Sequence, residues 1–250
     1  MAEGLVCGEV RVQFEGVPAL DGVTMTVARG EVVGLIGPNG AGKTTVVNVL
    51  SGFVRASSGT VSLDGRELSS ESPETRARLG LARTFQHGRL FAALSVRENV
   101  ELGALAVGAS RRTARARATR LLRDLHLEVH AGTPAGDLSH GDQQRVSVVR
   151  AVAMDPTYLL LDEPAAGLPE GSMSELRWVV EEATTESGAG VMLIDHNVDF
   201  VLQTSDRVVV LDHGHVIAAG TPDTIRRNVD VVSAYLGESG IEDRASNGAG

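Results

Sequence analysis

The chain has 250 residues, 42% of them apolar and 3% aromatic, enough for one α/β domain with a core of Val, Leu, Ile and Ala. A formal net charge of −9 argues against nucleic-acid binding, which draws on counterions released from phosphates. The single cysteine, Cys7, fits a reducing cytosol without disulfides. No apolar run reaches the ~18 residues of a membrane span. The start Met1-Ala2-Glu3-Gly4 lacks a signal peptide's basic and apolar regions. A protein in the cytosol, peripheral to a membrane only through a partner, is expected.

In chain order, 5–13 and 23–29 read as short strands around a turn at 15–18. Residues 31–36 form an apolar strand that runs into Gly37-Pro38-Asn39-Gly40-Ala41-Gly42. A helix follows over 43–50, closed by Ser51-Gly52. Residues 59–64 give another strand ending in the turn Asp64-Gly65. From about 87 to 137 the pattern is helical, rich in Ala, Leu and Arg, and reads as an inserted lobe. Apolar strands at 157–161, 190–194 and 207–211 then alternate with helices, which predicts a mainly parallel sheet covered by helices. The small, polar segment 238–250 reads as a disordered tail.

Residues 37–44 match Gly-x-x-x-x-Gly-Lys-Thr between a strand and a helix, a phosphate loop. Its glycines let backbone N–H groups turn inward as an anion nest at a helix N-terminus. Lys43 would reach the β- and γ-phosphates, Thr44 would offer its hydroxyl to Mg²⁺, and Thr45 would add a phosphate contact. Among 23 lysine and arginine residues Lys43 is the only lysine. At a tight phosphate site a compact ammonium is not interchangeable with an arginine fork.

Residues 158–163, Tyr-Leu-Leu-Leu-Asp-Glu, describe a buried strand with two carboxylates at its tip. Asp162 fits a Mg²⁺ holder acting through water, and Glu163 a general base that orients the attacking water. In Leu138-Ser139-His140-Gly141-Asp142-Gln143-Gln144-Arg145, Ser139 and Asp142 read as a capping box opening a helix from 143 to 153. The same serine hydroxyl, glycine N–H and positive helix end are also what a γ-phosphate would meet.

The order of phosphate loop, Gln86, Leu-Ser-His-Gly-Asp-Gln, Leu-Leu-Leu-Asp-Glu-Pro and His196 resembles the ATP-binding cassette (ABC) ATPases over about 6–237. The resemblance implies a P-loop NTPase of the ABC type. Its core would be a mainly parallel sheet, with an antiparallel N-terminal β subdomain and an α-helical subdomain inserted at about 87–150. Residues 1–237 would form a single nucleotide-binding domain. It further implies ATP and Mg²⁺ as ligands, and a head-to-tail dimer in which the signature, here Ser139 and Gly141, meets the γ-phosphate held by the opposite subunit. By the same resemblance Phe14 stacks on adenine, the alternative being an ordinary core aromatic. Gln86 senses Mg²⁺ and links to the membrane subunit, and His196 contacts the γ-phosphate.

The segments Arg83-Thr84-Phe85-Gln86-His87-Gly88-Arg89-Leu90-Phe91, Glu163-Pro164-Ala165-Ala166-Gly167-Leu168 and Ala234-Tyr235-Leu236-Gly237 resemble the ATPases of branched-chain amino-acid importers. That implies a second, preferably different, ATPase subunit, two permease subunits at the cytoplasmic face of the plasma membrane, and an external solute-binding protein. An exporter ATPase of lipid or lipopolysaccharide type, and an ABC ATPase that moves no solute, are the competing readings. Three departures stand out. His140 replaces the first signature glycine, Pro169 stands where many cassettes have an aspartate, and Asn197 follows the switch histidine where an aspartate is common. The arginines of 111–123 wrap around a helix rather than form one stripe, so a solvated helix is expected there.

Overall fold

The computed structural model describes residues 3–85, 90–168 and 170–231. Gln86, the segment 87–89, Pro169, the 234–237 motif and the 238–250 tail lie outside the described residues.

The elements run β1 (Leu5–Phe14), β2 (Val17–Val27), β3 (Val32–Ile36), α1 (Lys43–Leu50), β4 (Ser58–Leu63), β5 (Arg66–Glu67), α2 (Pro73–Arg78) and β6 (Leu81–Arg83). There follow α3 (Val96–Ala106), α4 (Arg111–Asp124), α5 (His140–Val152), β7 (Tyr158–Asp162), α6 (Met173–Thr185), β8 (Gly190–Ile194), α7 (Val198–Thr204), β9 (Arg207–Asp212), β10 (His215–Gly220) and α8 (Pro222–Arg226).

They build two sheets. One is antiparallel, in the order β2-β1-β4-β5. The other runs β10-β9-β3-β8-β7-β6, parallel except for the β10 edge. Strands β3, β7 and β8 are buried at every position, as a parallel sheet covered on both faces requires. Their side chains alternate between two cores. Val32, Leu159, Leu161, Val191 and Leu193 join the residues of α3 to α7. Val33, Leu35, Leu160, Met192 and Ile194 join α1 and the antiparallel sheet.

Several boundaries differ from the sequence expectation for local physical reasons. β2 starts at Val17 because Glu15 and Gly16, at φ +50° and +86°, close a tight two-residue turn that lets Val17 pair with Phe14. α5 starts at His140 rather than 143 because Ser139 is itself the N-cap, accepting from Asp142 N at 3.2 Å. Among the described residues of the 87–137 stretch the first helix begins at Val96, where Ser95 and Glu98 form a capping box. β6, α2 and β10 were not expected. β6 has three residues and α2 six, too few for periodicity to register. α4 buries Ala114, Ala118, Leu121 and Leu122. Arg111, Arg112, Arg115, Arg120 and Arg123 are exposed, as expected of a solvated helix.

One buried cation joins the two ends of this frame. Arg76 of α2 is 3% exposed. Its guanidinium donates to Val49 O and Leu50 O at 2.7 Å, Leu68 O at 2.6 Å and Glu71 O at 3.1 Å. Both Val49 O and Leu50 O lie at the negative end of α1, Val49 O also accepting from Gly52 N at 3.2 Å, so Arg76 acts as a C-terminal cap of that helix. Arg76→Met keeps the stem and strips the donors. It is expected to cost about 2–3 kcal/mol of unfolding free energy in urea titration, and an unchanged midpoint would show that the carbonyls find other partners.

Candidate active site

Because β3, β8 and β7 are parallel neighbours, their C-terminal ends open on one edge of the sheet. Residues 37–42 leave β3 there, Asp162 and Glu163 end β7, and Asp195 and His196 follow β8. A switch between connections at that edge is where α/β sheets bind ligands.

The loop's glycines are dictated by contact. A Cβ at Gly37 would lie 2.1 Å from Leu211 O, and one at Gly42 would lie 2.7 Å from Ala19 O, with φ already at +103°. Gly42 opens α1 without a side-chain cap and with no acidic residue in the first turn. The helix's leading N–H groups and its positive end are therefore presented to an anion. Pro38 and Ala41 close the loop through Ala41 N to Pro38 O at 3.2 Å, while Asn39 and Gly40 are exposed at its crest. Lys43 is 8% exposed, and its Nζ donates to Gly37 O at 2.6 Å and Pro38 O at 2.8 Å. The loop thus curls over its own ammonium. Thr44 is exposed and Thr45 half-buried at the next two positions.

Asp162 is 2% exposed. Its N–H donates to Thr84 Oγ1 at 3.0 Å, and its Oδ2 accepts from Arg83 Nη2 at 3.1 Å. Its Oδ1 is buried without a hydrogen-bond partner. A buried, open carboxylate oxygen is costly unless something polar completes it. Together with the Thr44 hydroxyl, that oxygen suits Mg²⁺, which takes one or two protein oxygens and fills its shell with water and phosphate. Burial pushes the Asp162 carboxyl above the usual carboxylate range, against the downward pull of the Arg83 guanidinium.

Glu163 sits at φ +52°, its N–H donating to Ile194 O at 2.8 Å. Its Oε1 lies 2.8 Å from His196 Nε2. Asp195 is 6% exposed and accepts from Ala165 N and Asn197 N, both at 2.9 Å; burial raises its carboxyl as well. Asn197 caps α7, accepting from Phe200 N at 3.0 Å, so at this departure the amide does the capping work of an aspartate.

The structure thus brings Gly37 to Thr45, Asp162, Glu163 and His196 to one sheet edge. Phe14 is 50% exposed at the end of β1, beside the hairpin turn. It is not a core aromatic, and its face is available for stacking. Ser139 and Gly141 stand apart at the accessible start of α5, with no hydrogen bond to residues 37–45 among the described residues. Ser139 Oγ donates to Asp142 Oδ2 at 2.8 Å, and the His140 imidazole packs over Gly167.

Sequence reasoning missed Arg83 as a site residue. Besides Asp162 it holds Asn48 Oδ1 at 2.7 Å and Ser51 Oγ at 2.9 Å on α1, and lies over the rings of Phe53 and Phe85 at 5.4 and 4.9 Å. In the sequence Arg83 stood out only as the first residue of the 83–91 segment that carries the resemblance. Those rings, with Phe91, Leu102, Ala106 and Met154, line an open groove of about 350 Å³.

A model of the family described as ABC transporter matches residues 20–166. The chain is 39% identical over 250 residues to the high-affinity branched-chain amino acid transport ATP-binding protein LivG of Salmonella typhimurium, covering 94% of this chain and 98% of that one.

The chain belongs to the ABC transporter family.

It is an ATPase cassette with the P-loop fold of that family. Residues 215–240 of the cassette match a further model, described as branched-chain amino acid ATP-binding cassette transporter. Among solved structures, a nucleotide-free ATP-binding cassette from an ABC transporter superposes with a TM-score of 0.84 at 29% identity, covering 94% of this chain and 99% of that one. A dimeric bacterial ABC transporter cassette does so with 0.80 at 25%, covering 87% and 98%.

Removing Arg83 takes away the largest pull that opposes the burial of Asp162, so its carboxyl titrates higher still. A carboxylate that is to take Mg²⁺ must be ionised. In Arg83→Met, Mg²⁺-dependent ATP binding is therefore expected to fail at higher pH than in the parent as the medium is acidified. Calorimetry across the acid range checks this, and an unmoved acid limb would contradict the pairing.

Proposed function

We propose that this cassette is the ATP-hydrolysing motor of an importer for branched-chain or related amino acids, peripheral at the cytoplasmic face of the plasma membrane. The observation that carries the reading is the convergence of the phosphate loop, the Asp162–Glu163 pair and His196 on one sheet edge, in a chain of this family. The likeness to LivG and the match of residues 215–240 support the solute class.

In this reading ATP stacks on Phe14 and seats its phosphates on Gly37, Pro38, Asn39, Gly40, Ala41, Gly42, Lys43, Thr44 and Thr45. The N–H groups of the loop and α1 meet the phosphate oxygens, and Lys43 exchanges the carbonyls of Gly37 and Pro38 for the β- and γ-phosphates. Thr44 and Asp162, with Gln86, would hold Mg²⁺, which would neutralise phosphate charge as the phosphoryl group transfers. Glu163 orients a water and accepts its proton as the oxygen attacks the γ-phosphorus and the bond to the β-phosphate oxygen breaks, releasing ADP. His196, bonded to Glu163 at 2.8 Å, fixes the carboxylate and can turn a ring N–H toward the transferring phosphoryl group. Ser139, Gly141 and the positive end of α5 act on the nucleotide of a second cassette, a different ATPase chain being favoured. The likeness to a dimeric cassette supports that pairing.

The groove lined by Phe53, Phe85 and Phe91 supports docking of a permease subunit on this cassette; a second permease on the other cassette and an external binding protein that delivers solute complete the proposed assembly. The apolar rings offer a seat that water would otherwise cover at a cost.

Glu163→Gln is expected to bind ATP with unchanged affinity while turnover falls about 10²–10⁴-fold; wild-type turnover would remove Glu163 from the base role. In the purified membrane complex with its binding protein, leucine, isoleucine or valine is expected to stimulate ATP hydrolysis. Stimulation by lipid alone would point to export.

A further inference from the structure

We propose that Gln144 is a positioning residue that ties the signature helix to the base of its own chain; the inference rests on the reading of Glu163 given above. Gln144 belongs to α5, the helix that Ser139 caps, and is 2% exposed. Its Nε2 donates to Glu163 O at 3.0 Å. A buried amide and a buried carbonyl each need a partner, and here they supply one another.

The carbonyl belongs to a residue in an unusual state. At φ +52° Glu163 occupies the left-handed region, which a glutamate keeps only when its surroundings hold it there. The hold comes from several directions. Ile194 O accepts from Glu163 N at 2.8 Å, and Ala166 N donates to Glu163 O at 3.3 Å. Asp195 Oδ2 accepts from Ala165 N at 2.9 Å. These contacts come from the sheet and from the turn itself, whereas the bond from Gln144 comes from α5. The peptide following Glu163, and with it the direction of the carboxylate toward His196, is therefore referred to the position of that helix.

A helix moves as a unit. Its exposed first turn carries Ser139, the candidate contact for a nucleotide held by a second cassette. A shift of that end on docking is transmitted along one rigid element to Gln144, and from there to Glu163. The base of one site is thereby aligned by occupancy of the other.

The test replaces the donor and keeps the volume. Gln144→Leu in the purified transporter complex is expected to lower kcat about ten- to a hundredfold, the scale of a misplaced catalytic group, with the KM for ATP and the ATP affinity by calorimetry unchanged. Hydrogen exchange at Ala165 and Ala166 is expected to quicken. Gln144→Met, which has similar reach and no donor, gives the same split should the leucine variant fail to fold. Unchanged kcat in a folded variant, or a loss of ATP affinity equal to the loss of kcat, would overturn the positioning role. Glu163→Gln measured alongside separates the two ideas. Retained turnover there removes the base reading, whereas lost turnover beside a wild-type Gln144→Leu removes the positioning role alone.

Discussion

Two carboxylates follow one another at the tip of a strand whose five residues are all buried, and charges so placed must find cations or polar partners close by. Arg83 meets one oxygen of Asp162, His196 meets Glu163, and the turn's own N–H groups donate to Ile194 O of β8 and to Asp195 Oδ2 just beyond it. What these partners leave is specific. Asp162 Oδ1 is buried and open, on the same sheet edge as the uncapped start of α1. A hydrated divalent cation carrying a triphosphate completes both features with one ligand, the carboxylate by charge and the helix end by its oxygens.

The electrostatics of the site also explain its mechanical connections. Arg83 neutralises Asp162 while its guanidinium rests on Phe53 and Phe85, at the wall of the apolar groove. In the proposed assembly a permease docked there would meet the rings that carry the cation next to Asp162. On the other side, α5 reaches the carbonyl of Glu163 through Gln144. The acids are thus touched from the groove and from the signature helix, the two surfaces through which a cassette meets its neighbours in the proposed assembly.

Much of this was legible in the sequence. The phosphate loop and the apolar strand ending in two acids announce themselves by local pattern, because strand, glycine loop and helix must follow one another to make an anion nest. The apolar strands β3, β7 and β8 read clearly because every position is buried. Short elements did not: β6 and α2 exist because of what they pack against. Arg83 and Arg76 were invisible as structural cations, since nothing local in Arg-Thr-Phe or Glu-Thr-Arg says which carboxylate or carbonyls lie across the fold. The turn at 15–18 was placed correctly but read two residues too long, because a glutamate in the left-handed region, which lets Glu15-Gly16 close it alone, carries no obvious sequence mark. Ser139 was read as a cap, but the helix was started too late.

The most direct measurement is a crystal structure of the cassette with a non-hydrolysable ATP analogue and Mg²⁺. The account predicts Lys43 Nζ about 3 Å from a γ-phosphate oxygen, released from Gly37 O and Pro38 O, with the cation bound to Thr44 and facing Asp162 Oδ1 directly or through one water. A triphosphate seated away from the start of α1, or a cation remote from Asp162, would contradict it.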